Sequence, residues 1–197
     1  MQIESLSLVI ADGPSDQAVV DTIARLVERW RAEGLAFAYR ERIEGDGVTT
    51  FVWEDTRVPE TELRLIFDTY AGARYVSAAS PSGTVRDALF DRLADAVAAV
   101  SPDHLIASAD PPDPRDPGAI LRLALGMNRG YSPHAHAILR KTLAHPDVEV
   151  RAAAIEAAGL LQWPILADDL DAAMGQDAEP GLARMLTGVR ANLSNQE

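Results

Sequence analysis

Apolar and polar residues alternate at Leu6, Leu8 and Ile10, and that period of two predicts a β-strand near the start of the chain. After the turn Asp12-Gly13-Pro14-Ser15 the period changes. Val19 or Val20, Ile23, Leu26 or Val27, and Trp30 fall on one face at helical spacing, and Gly34 stands where a C-terminal cap belongs. Leu35, Phe37 and Tyr39 alternate again, and Val48-Thr49-Thr50-Phe51-Val52-Trp53 follows across Glu44-Gly45-Asp46-Gly47. Two strands around a Gly-Asp-Gly turn predict a hairpin. From Glu60 to Ala71, the positions Leu63, Ile66 or Phe67, and Tyr70 fit a helix that stops at Gly72. Arg74 to Ala78 predicts a short strand. Thr84-Val85-Arg86-Asp87 opens, in the manner of a capping box, a helix that buries Leu89, Leu93, Ala96 or Val97, and Val100. His104 to Ala107 predicts a last edge strand. The resulting β-α-β-β-α-β-α-β order is that of an α+β sandwich, one mixed or antiparallel sheet covered by helices, with a ferredoxin-like start.

Ser108-Ala109-Asp110-Pro111-Pro112-Asp113-Pro114-Arg115-Asp116-Pro117 interrupts this pattern, because its prolines remove backbone donors and fix φ. The expected organisation is therefore an α+β domain over 1–107, a Pro/Asp-rich linker over 108–117 and an all-helical domain over 118–197. Helices are predicted over Gly118–Met127, Pro133–Ala144, Val148–Leu161, Pro164–Met174 and Glu179–Leu193. His145-Pro146-Asp147 and Gly175-Gln176-Asp177 each close one helix and open the next, 30 positions apart.

The run from His145 to Leu161 is the most distinctive stretch. Val150, Ala153 or Ala154, Ala157, and Leu160 or Leu161 make one buried helical stripe in which alanine lets a neighbouring helix come close. Asp147 is placed to cap the helix. The order Asp147-x-x-Val150-Arg151-x-x-Ala154-x-x-x-x-Gly159 resembles the HEAT and HEAT-like repeat family. The resemblance implies helix pairs stacked into a binding surface, with Asp147 and Arg151 linking neighbouring repeats and the second helix of the pair facing a partner. The flanking helices bring the resemblance to about residues 117–193. In the second repeat Pro180-Gly181 replaces Val-Arg.

Composition narrows the possible functions. Hydrophobic residues make up 47% of the 197 and charged residues 24%, the balance of a folded globular protein. With no cysteine, disulfides, thiolate metal sites and cysteine nucleophiles are excluded. The beginning Met1-Gln2-Ile3-Glu4 has no basic region before an apolar stretch, and no apolar run is long enough to cross a bilayer, so a cytoplasmic protein is expected. The net charge is −12, and residues 1–110 carry 10 Arg against 19 Asp and Glu. Such a chain is repelled by nucleic acid and anionic membranes and attracts a basic protein.

Candidate chemistry is sparse. His134 and His136 stand about 200° apart on a helix, which disfavours a shared metal ion. Ser80-Pro81-Ser82-Gly83-Thr84 between a strand and a helix start could hold a phosphate, but lacks Gly-Lys-Ser/Thr and Gly-x-Gly-x-x-Gly. Asp168, Asp169 and Asp171 form a carboxylate cluster of the kind common on solvated faces. Trp163, in the turn Gln162-Trp163-Pro164, is the candidate exposed aromatic anchor.

The expected function is a non-enzymatic protein-binding module, in its most concrete form a small immunity or antitoxin-like inhibitor of a basic protein, with neither cofactor nor metal. The expected binding residues are Glu149, Glu156 and Trp163 on the repeat and Glu41, Glu44 and Asp46 on the hairpin; Asp147, Val150, Arg151 and Ala154 carry the repeat motif. The alternative is a small-molecule enzyme or sensor built on the Ser80–Thr84 loop.

Overall fold

The computed structural model describes residues 5–175 and 179–194, which divide into two compact units, one ending at Val100 and the other beginning at Ser101. The class is α+β: an antiparallel sheet with helices, followed by helices alone.

In the first unit, strand β1 (Ser5–Val9) leads into helix α1 (Asp16–Ala32), followed by β2 (Phe37–Gly45), β3 (Val48–Asp55), β4 (Glu62–Asp68), β5 (Ala73–Ala79) and helix α2 (Gly83–Ala94). The five strands lie in the order β1-β5-β4-β3-β2, with every neighbour antiparallel. The sheet is thus a meander closed by β1, which corrects the ferredoxin-like expectation: α1 carries the chain from one edge to the other. The Ser15 hydroxyl caps α1 by accepting from Ala18 N–H. The helix buries Val19, Ile23, Leu26, Val27 and Trp30 against Phe37, Trp53, Leu63, Leu65 and Val76, with Leu89 and Leu93 of α2 completing the core. Each such side chain contributes about 1.5–3 kcal/mol by leaving water.

The segment expected to be a helix over Glu60–Ala71 is strand β4. Leu63, Leu65 and Phe67 alternate onto the helix-covered face, and Leu63 and Leu65 are wholly buried between Trp53 and Phe51 of β3 and Ala78 and Val76 of β5. Leu63, Phe67 and Tyr70 also satisfy a helical period, so the short apolar run was compatible with both structures. Position in the middle of the sheet settles which one forms. The hairpin turn is as expected: Asp46 and Gly47 both take positive φ, 42° and 81°, the type I′ pattern. A side chain at Gly47 would collide with Thr69, whose hydroxyl and N–H both donate to Gly47 carbonyl oxygen.

The second unit holds α3 (Pro102–Ala109), α4 (Gly118–Gly126), α5 (Pro133–Leu143), α6 (Val148–Leu161), α7 (Leu166–Met174) and α8 (Pro180–Ser194). His104–Ala107 therefore lies inside a helix rather than an edge strand. Ser101 caps α3 through His104 N–H and Pro102 occupies the first turn, where its missing donor costs nothing. Leu105 of α3 packs where a side chain at Gly126 of α4 would sit. The proline-rich stretch expected to separate two domains thus connects two packed helices within one unit, and the division comes before α3.

Helices α3 and α4, α5 and α6, and α7 and α8 pair in sequence; α4, α6 and α8 form one row, and α3, α5 and α7 the other. Helix α6 sits between its row neighbours with Val150, Ala153, Ala154, Ile155, Ala157, Ala158 and Leu161 buried. Gly159 faces Val189 of α8 so closely that even a Cβ would come within 3.3 Å of it. The expected Gly175-Gln176-Asp177 junction falls partly outside the described residues.

Ala154 is fully buried, so Ala154→Leu should overpack α6 and cost about 1–3 kcal/mol, read as a lowered unfolding midpoint in urea. Burial on the sheet, with the Asp68 carboxylate adding to it, pushes the Tyr75 phenol up to about 12. The unfolded chain releases that proton near pH 10, so the associated stability is full below about pH 10 and lost as pH rises through 12. Tyr75→Phe should flatten the fall in stability across that alkaline window.

Candidate functional site

The two edges of the sheet differ. At β1, Val100 N–H donates to Val9 carbonyl oxygen and Ala11 N–H to Ala98 carbonyl oxygen, both at 2.8 Å, so the segment after α2 closes the Val9–Ala11 end. Among the described residues, the nine-residue β2 has β3 as its one strand neighbour. An edge of this kind presents backbone donors and acceptors to an incoming chain.

Side chains on β2 make that edge distinctive. Tyr39 is 55% exposed and Ile43 51% exposed, and they stand on opposite faces of the sheet. Tyr39 meets Trp53 edge-on at 5.9 Å, Trp53 lies 6.4 Å from Phe51, and Phe51 meets Phe67 edge-on at 5.9 Å, giving a row of rings across three strands. The Arg42 guanidinium sits 5.3 Å above Phe51. Between Tyr39 and Glu41 the register shifts, with Arg40 as the extra residue of a bulge. Bulges and charges on an edge discourage indiscriminate strand pairing.

The hairpin carboxylates are not a bare acidic patch. Glu41 pairs with Arg40 at 3.1 Å, and Arg40 reaches Glu62 at 3.1 Å and Glu54 at 3.5 Å. Glu44 pairs with Arg42. Asp46 is exposed at the turn tip. Sequence alone showed the acidic residues without the geometry that sets Arg40 against Glu41 and Arg42 against Glu44.

At the start of α6, Asp147 accepts from Glu149 and Val150 N–H groups at 2.9 and 3.3 Å, the expected cap. Arg151 donates to the carbonyl oxygens of His145 and Pro146, 2.9 Å each, so it ties down the turn before its own helix. Glu149 and Glu156 lie on the exposed stripe of α6 together with Leu160. Trp163 does not join them. It is only 7% exposed and meets Tyr131 edge-on at 5.2 Å, which corrects its reading as an exposed anchor. Gln162 takes the left-handed conformation at the end of α6, and the chain bends so that the indole turns inward.

Tyr131 belongs to a cluster that periodicity did not reveal. Its hydroxyl lies 3.0 Å from Nδ1 of His136, and Nε2 of His136 lies 2.6 Å from the Asp169 carboxylate. His136 is on α5, Asp169 on α7 and Tyr131 in the turn before α5. Residue spacing put His136 among helix-surface histidines and Asp169 in an acidic run. Their 33-residue separation carried no local signal. His134, two positions away, is exposed on the other side of α5. Asp171 pairs with Arg190 at 3.0 Å. Among the described residues, no group of three or more His, Asp or Glu side chains is placed to hold a metal ion. In the Ser80–Thr84 loop the Ser80 hydroxyl is bonded to that of Thr61 at 2.9 Å and accepts from Ser82 N–H, while Ser82 caps α2. These hydroxyls are spent internally.

No protein-family model, characterised protein or solved structure matches the chain.

The two residues expected to act together on the repeat should separate experimentally. Trp163→Ala should cost about 3–5 kcal/mol by emptying a buried aromatic site, whereas Glu156→Ala, on the exposed stripe, should cost no more than about 1 kcal/mol in the same urea titration, the range of an exposed polar interaction.

Proposed function

We propose that this chain is a non-enzymatic protein-binding module that receives an extended segment of a basic protein along the outer edge of β2. The open edge beside a partly closed one is the observation that carries this reading. Backbone hydrogen bonds along Phe37–Gly45 supply affinity, and side chains of the incoming strand read Tyr39 on one face and Ile43 on the other. Tyr39 is suited to the role because its phenol ring already rests on Trp53, so little rotamer freedom is lost on binding.

The net charge of −12 supports a basic partner. With Glu41 and Glu44 neutralised locally, attraction acts through the field of the whole protein and speeds encounter more than it strengthens the final contact. An immunity or antitoxin-like inhibitor that masks a basic protein is the concrete form we favour. The paired, two-row packing of α3–α8 supports a HEAT-like repeat as the second half of the module, with Glu149 and Glu156 on its exposed stripe as auxiliary contacts. A cytoplasmic setting is consistent with the absence of cysteine.

With the full chain immobilised and its protein partner in solution, raising salt from about 50 to 500 mM should slow association far more than it speeds dissociation. Ile43→Asp and Tyr39→Ala should each weaken binding about tenfold or more with melting temperature nearly unchanged, since both side chains are exposed. Full binding by both variants, or an association rate indifferent to salt, would overturn the reading.

A further inference from the structure

The Tyr131–His136–Asp169 chain of hydrogen bonds has a chemical direction. A carboxylate only accepts, so Asp169 takes the proton on Nε2 of the neutral imidazole and leaves the lone pair on Nδ1. In that tautomer the atom facing the lone pair at 3.0 Å is the Tyr131 hydroxyl, which donates to it. A hydroxyl, a base that accepts its proton and a third group that orients the base is the arrangement that activates oxygen nucleophiles. His136 and Asp169 are largely shielded, while Tyr131 is 51% exposed and its ring is braced by Trp163. The base is thus sheltered, and the tyrosine it serves is half-exposed.

From this geometry we propose that Tyr131 is a nucleophilic tyrosine that accepts an acyl group from an activated acyl donor, with His136 as general base and Asp169 as its positioning residue. The Tyr131 oxygen forms a bond to the acyl carbon. The bond from that carbon to its leaving group breaks, and the electron pair departs with the leaving group. The phenolic proton passes to Nδ1 of His136 and on to the leaving group, so the products are O-acyl Tyr131 and the protonated leaving group, with no change of oxidation state. Asp169, which orients His136, and the exposed Asp168 beside it on α7 disfavour a polyanionic phosphoryl donor relative to an uncharged acyl donor, while Asp171 is engaged by Arg190. This assignment stands independently of the binding role of β2.

The molecule supplies its own comparison, because Tyr39 is 55% exposed, a fraction like that of Tyr131, and its ring rests on Trp53 rather than on an imidazole. N-acetylimidazole transfers an acetyl group to phenols and releases imidazole. Limited treatment of the full chain, followed by peptide mass spectrometry, gives the acetylation rate at each tyrosine. Tyr131 should react faster than Tyr39 by about a hundredfold, the lower range of general-base assistance. Asp169→Asn offers Nε2 an amide in place of the carboxylate and weakens its hold on that tautomer; His136→Gln removes the base. Both should abolish the advantage, with circular-dichroism melts reporting whether α5 and α7 remain folded. A Tyr131 rate at or below that of Tyr39 in the unmodified chain would overturn the assignment without recourse to any variant. So would a rate advantage that survives either substitution.

Discussion

Burial of the α1 stripe against the sheet is the interaction on which the first unit depends. Val19, Ile23, Leu26, Val27 and Trp30 are the apolar face of a 17-residue helix, about 25 Å long at 1.5 Å per residue. Five strands spaced by about 4.8 Å span roughly 19 Å. One helix of this length is enough to cross the sheet, and it joins β1 at one edge to β2 at the other. That crossover sets the meander that follows and leaves β2 outermost. The open edge, the exposed Tyr39 and the exposed Ile43 are consequences of where α1 delivers the chain.

The helical unit rests on a different economy of space. Its central helix carries alanine at four buried positions, Ala153, Ala154, Ala157 and Ala158, and glycine at Gly159 against Val189 of α8. Small side chains trade hydrophobic area per residue for close approach, and dispersion between well-matched surfaces then does much of the holding. Hydrogen bonds define the turn into this helix: Asp147 satisfies its first N–H groups, while Arg151 reaches back to two carbonyl oxygens of the same turn. The His136–Asp169 contact reaches between α5 and α7 in the other row. It joins helices whose sequence separation no repeat pattern connects.

Charge acts here at two ranges with different consequences. Nearby, Arg40, Arg42 and Arg64 engage Glu41, Glu44, Glu54 and Glu62, mostly in exposed ion pairs that contribute little to stability. They keep a long edge strand polar and make its backbone choosy about partners. At longer range the excess of 12 negative charges remains, and it governs the approach of other molecules through a field screened over about 10 Å.

What the sequence determined by itself is what depends on near neighbours in the chain. The α1 stripe, the Asp46-Gly47 turn, the Asp147 cap and the alanine face of α6 were all legible, because helix periods, caps and two-residue turns are settled within a few positions. The first strand, the hairpin and the α+β class followed from the same rules. Strand β4 was not legible, since Leu63, Leu65 and Phe67 serve a strand as well as Leu63, Phe67 and Tyr70 serve a helix, and only a place between β3 and β5 distinguishes them. The Pro-Asp run was a genuine break in secondary structure, yet whether a break divides two units depends on what the helices beside it pack against. Trp163 and the Tyr131–His136–Asp169 chain were likewise decided by tertiary structure. A turn direction and an interhelical contact bring together groups that stand in α5, in α7 and in the loops between helices, and the free energy of burying them exists only once those helices have docked.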